Sequence, residues 1–125
     1  MIINSAKELV VYKKAYELAM RVFRLSKVFP AEERFALTSQ IRRASRSVCL
    51  NLREAWAKRR YPAHFQSKLT DCDGENAETD TSLDFAKDCG YITPIEYTEL
   101  TSDCCEVGKM LGAMIQNPDL FLLST

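Results

Sequence analysis

The chain holds little of what chemistry usually needs. His64 is the only histidine among 125 residues. None of H-E-x-x-H, G-x-x-x-x-G-K and G-x-S-x-G occurs, so the zinc-protease, phosphate-loop and serine-hydrolase signatures are all missing. The five cysteines, Cys49, Cys72, Cys89, Cys104 and Cys105, are odd in number and include no C-x-x-C pair. That argues against a disulfide framework or a zinc site and for free thiols in a reducing cytoplasm. No window holds the roughly 18 apolar residues that begin to suggest a membrane span. The opening "MIINSAKELVVYKK" lacks the apolar run and small-residue cleavage site of a secretory signal. No segment alternates with the period of two that a half-buried strand requires. No metal, cofactor or membrane contact is expected.

What remains is enough for one ordinary domain, with 46% hydrophobic and 27% charged residues, both usual for a globular chain. Net charge is zero, yet the charges are unevenly placed. Residues 1–70 carry 15 Lys or Arg and 5 acids, residues 71–125 carry 2 and 12. Such asymmetry fits nucleic-acid contact or charge-matched self-association. It fits equally two halves neutralising each other inside one bundle.

Helical periodicity runs through the whole chain. Ser5 followed by Glu8 reads as a capping box, and Leu9, Tyr12, Ala15, Tyr16, Ala19, Val22 and Phe23 then recur at three- and four-residue steps as a core stripe. This predicts a first helix over about residues 6–28, stopped by Pro30. A second helix, over 36–59, has Leu37, Ile41, Ala44, Val48, Leu52, Ala55 and Trp56 on one face. Tyr61-Pro62 closes it and opens a third segment. The middle of that segment, "DCDGENAETDTS", has few apolar residues and a glycine costing about 1 kcal/mol in a helix, so propensity alone predicts a loop there. Thr93-Pro94-Ile95-Glu96 is a further capping box with proline at the first helical position, starting a helix over 94–116 with Ile95, Leu100, Cys104, Val107, Leu111 and Ile115 inward. Gly108 and Gly112 would let another helix approach closely. The tail 117–125 has four large apolar residues in need of cover. The fold class is all-α, with short connections and hence antiparallel neighbours.

The second helix carries the densest charge. Arg42, Arg46, Arg53 and Arg60 lie within about 40° on a helical wheel, with Lys58 and Arg59 adding to the same end. Along roughly 35 Å of helix, such a row could track a phosphate backbone. It could equally be a solvated face or a partner for the acidic half. No aromatic platform interleaves the arginines on this helix, which weakens a single-strand reading. On the other flank Gln40, Arg43, Ser47, Asn51 and Glu54 form a polar seam, read as a register or subunit-pairing device. An active site around Glu54 would need a nucleophile with its base, or a metal cluster, and neither is offered. The chain is expected not to be an enzyme.

"FPAEERFALTSQIRRAS", "SVCLNLREAWAKRRYPAHFQSKLTD", "ETDTSLDFAKDCGYI" and "EVGKMLGAMIQNP" resemble the bacterial four-helix-bundle family encoded in intervening sequences of large-subunit ribosomal RNA genes. The resemblance covers about residues 5–118, in order and with similar spacing. It implies an up-down-up-down bundle, a continuous third helix over 62–89, and assembly as a five-membered homo-oligomeric ring. A related branch is the accessory variability protein of diversity-generating retroelements, which binds a reverse transcriptase and nucleic acid through basic surface. The partners implied are therefore further copies of this chain, RNA or DNA, and a reverse transcriptase or ribosomal component. Matching positions are Gln40, Arg42, Arg43, Ser47, Asn51, Glu54, Glu78 and Thr79. Cys49 stands where the family often has proline and Ala55 where it often has glycine, both changes favouring an unbroken second helix. With the third helix continuous, Asn76 and Thr79 turn inward and are expected to meet Ser47 or Asn51 in a buried polar layer.

Overall fold

The computed structural model describes residues 3–123. Among them are four α-helices, three short 3-10 turns and no strand: α1 (Val10–Ser26), α2 (Leu37–Ala57), α3 (Pro62–Asp88) and α4 (Pro94–Gln116). The helices form a four-helix bundle, and contacts between neighbours run antiparallel. Lys14 meets Glu106 and Arg21 meets Glu99 between α1 and α4; Arg43 meets Glu78 and Glu54 meets Lys68 between α2 and α3.

α4 starts where the capping box places it. Glu96 N–H donates to Thr93 Oγ1 at 3.1 Å and Thr93 N–H to Glu96 Oε1 at 2.9 Å, satisfying donors that a helix start leaves open. The box expected at Ser5 does not start α1. Ser5 Oγ accepts from Lys7 N–H and Glu8 Oε2 from Asn4 N–H, closing a single 3-10 turn over Ala6–Glu8. Leu9 is then extended, and the helix begins at Val10.

The loop expected in α3 is absent. Phe65, Leu69, Cys72, Leu83 and Ala86 are all buried on its inner side, and packing on both sides of the polar middle holds Gly74 in a helix it would not favour alone. The apolar side chains form two clusters: one around Phe65, Leu69, Leu52 and Leu111, the other around Ile41, Leu83, Leu100 and Val22. Along α3, Asn76 and Thr79 fall between Cys72 of the first and Leu83 of the second.

That polar layer is not wired as expected. Asn76 Nδ2 donates to the Cys104 carbonyl at 2.9 Å, Thr79 Oγ1 to the Glu75 carbonyl at 2.9 Å, and Asn51 Nδ2 to the Ser47 carbonyl on its own helix. Ser47 and Asn51 lie half-buried on α2's outer flank, out of the inward line. Asn76 Oδ1 is buried without a partner. Gly108 allows the approach of α4 here, since a Cβ would stand 3.4 Å from Asn76 Nδ2, whereas Gly112 faces open space.

Three residues expected in the core lie outside or at its edge: Tyr16 is exposed, Phe23 is only half-buried, and Ile95 is 72% exposed; Tyr12, half-buried, does pack on the first cluster. The helical period locates a face, but those three sit at its edges or, for Ile95, in the first turn of α4. In the tail, Phe121 and Leu122 pack on the first cluster while Leu120 and Leu123 stay exposed.

Candidate nucleic-acid interface

The two flanks of α2 meet different helices and fare differently. On the α3 side, Arg43 Nη2 reaches both Glu78 oxygens at 3.2 Å and its Nη1 lies 3.7 Å from Glu75. Glu54 is 2.6 Å from Lys68 Nζ, which also faces Asp71 at 3.8 Å. The Lys68 ammonium is correspondingly held above its ordinary pKa, chiefly by its bond to Glu54. Gln40 is exposed on this flank. Two of the seam's five residues, Arg43 and Glu54, are thus held in ion pairs with α3. Glu54 is engaged by Lys68, and among the described residues no group of His, Cys, Asp and Glu could hold a metal ion.

On the α1 side the arginines find an aromatic ring instead of a carboxylate. Arg42 Nε donates to Ser26 Oγ at 2.7 Å, and its guanidinium lies 4.8 Å from the Phe23 ring centre. Arg46 lies 5.5 Å from the same centre and Lys27 Nζ 4.9 Å. The negative face of an aromatic ring attracts such cations without cancelling their charge. Arg53 is exposed farther along, close enough to Tyr12 to oppose the rise that burial gives that phenol. Among the described residues no carboxylate pairs with Arg42, Arg46, Arg53, Lys58 or Arg60.

The row does not reach as far as the wheel suggests. α2 ends at Ala57, so Lys58 to Arg60 form a turn and Arg60 leaves the helical stripe. Arg59 is half-buried: its guanidinium stacks 3.6 Å from the Trp56 ring centre, its Nε donates to the Trp56 carbonyl, and its own carbonyl accepts from Leu123 N–H of the tail. It ties the end of α2 to the C-terminal tail, while Lys58 and Arg60 are exposed.

Most apolar neighbours of this row were invisible on one helix. Phe35 in the turn before α2 is 88% exposed, Leu50 is 62% exposed on α2's outer face, and Tyr16 and Met20 of α1 lie across the helix–helix groove. Their signal is spatial. A wheel of α2 contains Leu50 but neither α1 nor the turn, so Phe35, Tyr16 and Met20 come beside the arginines only once the helices are side by side.

These features define a class: an all-α bundle with basic side chains on its second helix that no described carboxylate pairs with, bordered by aromatic residues of the first helix and the turn before the second. The chain belongs to the 23S rRNA-intervening sequence protein family, which it matches over residues 7–113. It is also similar to a crystallised protein of unknown function from the S23 ribosomal protein family of Bacteroides thetaiotaomicron, at 32% identity and a TM-score of 0.78, covering 86% of this chain and 96% of that one. No curated protein matches it significantly. No helix among the described residues is long and apolar enough to cross a membrane.

Proposed function

We propose that this protein is a non-enzymatic, self-assembling bundle that binds RNA, DNA or a ribonucleoprotein through the cationic side chains of α2 and the turn after it. One observation carries the reading: among the described residues, the cations of α2 and the turn after it are not tied up in ion pairs, Arg43 excepted. Lys14, Arg21, Arg43 and Lys68 are paired with carboxylates across helix interfaces, whereas Arg42, Arg46, Arg53, Lys58 and Arg60 keep their charge for something outside the chain. Phosphate is the partner that suits a row of guanidiniums, which bind it through paired donors.

Self-assembly multiplies the effect. A ring of copies, five in the expectation drawn from the family, repeats the row around its rim, and weak contacts made together add strongly. That arrangement suits an extended ribonucleoprotein partner, such as a ribosomal component or a reverse transcriptase with its RNA. Exposed Tyr16 and Met20 on the basic side and Phe85 and Ile95 on the acidic side supply apolar area for a head-to-tail contact that closes by rotation. The same exposed groups support the rival reading, a purely structural or protein-binding oligomer.

Titration with a labelled oligonucleotide at two salt concentrations separates the readings. Contact with Z phosphates gives a log–log salt slope of about −0.7Z to −0.9Z; an absence of binding at low salt leaves only the structural oligomer. Light scattering during size exclusion counts the subunits, and a monomer at working concentration would end the self-assembly claim.

A further inference from the structure

Phe35 stands in an unusual place. Its ring is almost wholly in water, yet a cation already lies on it, the Arg34 guanidinium at 5.3 Å from the ring centre. The residue lines a shallow concavity of about 540 Å3 along α2, together with Thr38, Arg42, Arg46 and Leu50. No acidic residue lines it. Arg43 also borders it, but Glu75 and Glu78 already take up that charge. Glu33, the nearest acid in sequence, faces elsewhere: its oxygens accept from Leu37 N–H and from the Tyr91 hydroxyl.

Two cations of the concavity are held before any ligand arrives, Arg42 by Ser26 and Phe23, and Arg46 by Phe23. Pre-placed guanidiniums lose less freedom on binding phosphate. Beside them stands an aromatic ring that is 88% exposed, with the flexible Arg34 side chain lying over it. A duplex could use the guanidiniums but not the ring, because its bases are stacked on one another and offer no free face. An unpaired strand can use both, its phosphates on Arg42 and Arg46 and a base on Phe35.

We infer that this concavity binds unpaired nucleic acid, with Arg34, Arg42 and Arg46 as phosphate contacts and Phe35 as a platform for one base. The inference rests on the proposal that the α2 face binds nucleic acid, and it goes further by naming the form of the nucleic acid.

The test uses the intact protein, a labelled unstructured strand of about 12 nucleotides, and the same strand paired with its complement, read by fluorescence anisotropy. The single strand binds more tightly than the duplex. Phe35→Ala weakens the single-strand complex about tenfold, a moderate loss for one base stack, with an unchanged salt slope and an unchanged duplex affinity. Phe35→Tyr keeps the wild-type affinity. Because the ring is exposed, neither variant threatens folding. Equal affinity for the two forms, or a Phe35→Ala variant that binds like wild type, overturns the inference and leaves the broader proposal standing. Failure of both forms to bind at low salt overturns the broader proposal itself. A Phe35→Ala variant with a changed subunit count in light scattering shows the ring buried against a second copy, and that too overturns the inference.

Discussion

Arg42 and Arg43 are adjacent in sequence and differ in everything else. Arg43 faces α3 and two carboxylates, Glu78 at 3.2 Å and Glu75 at 3.7 Å. Arg42 faces α1, a serine hydroxyl and a phenyl ring. A helix turns about 100° between neighbours, so consecutive residues on α2 lie against different helices. One chemistry therefore serves two ends. Toward α3 positive charge is neutralised and binds helices together; toward α1 it is held in position and left over. The overall charge of zero conceals this, since the balancing carboxylates belong mostly to α3 and α4.

The largest expected effect attacks the left-over side. Arg46→Gln with Arg53→Gln removes two exposed cations that make no hydrogen bond among the described contacts. Binding of an oligonucleotide in ~50 mM salt should weaken at least tenfold, and the salt slope should fall by about 2. The melting temperature should stay within about 2 °C, as surface changes of this kind cost little. Arg43→Gln should do the reverse. It leaves the half-buried Glu75 with Glu78 as its neighbour and no cation, costing about 1 kcal/mol of stability by chemical denaturation, with binding unchanged.

Gly74→Ala sharpens the comparison from α3. A Cβ at this position meets nothing within 4 Å, so stability should rise by about 0.5–1 kcal/mol and binding should not move. A change in binding would mean that α3 contributes to the basic face.

The smallest effect is one of pH. Burial, with help from Glu78, holds the Glu75 carboxyl above its ordinary value, while Arg43 pulls it down. A carboxyl raised in this way takes its proton in the folded state before it does in the unfolded chain. Its contribution therefore favours folding at acid pH and is lost as pH rises from about 4.5 through the folded value. Asp80 and Asp103 are also raised by burial, and Glu106 is lowered by Lys14, so the Glu75 part must be isolated by substitution. Removing Arg43 removes a lowering influence. The difference in melting temperature between pH ~5 and neutral should grow in Arg43→Gln and shrink in Glu75→Gln; equal differences in all three proteins would separate Glu75 from the ion pair.

Much of the bundle was legible because α4 signals its own start and α1, α2 and α4 each show an inner face. Thr93, Pro94 and Glu96 marked α4 to the residue, and the α2 stripe from Leu37 to Ala55 is buried throughout. The failures have one physical origin, the neighbouring helix. Gly74 and the polar run around it read as a loop because local propensity knows nothing of Phe65 and Leu83 packing on either side. Tyr16 and Ile95 kept the helical period yet lie where no helix covers them. At the candidate site, the arginines of α2 were visible on a wheel, but their sorting was not. Glu75 and Glu78 are more than thirty residues from Arg43, and Phe23 belongs to another helix. Arg60 was aligned with a helix that stops three residues earlier, at Ala57. The aromatic surface beside the arginines was missed for the same reason, since Phe35 and Tyr16 lie outside α2.

The most direct measurement compares salt slopes for one oligonucleotide across three proteins: wild type, Arg46→Gln/Arg53→Gln and Arg43→Gln. If charge toward α1 is free and charge toward α3 is spent, the double variant loses about 2 from the slope and Arg43→Gln loses none. A loss per arginine that is the same on both flanks would contradict the division of α2 into a binding side and a structural side.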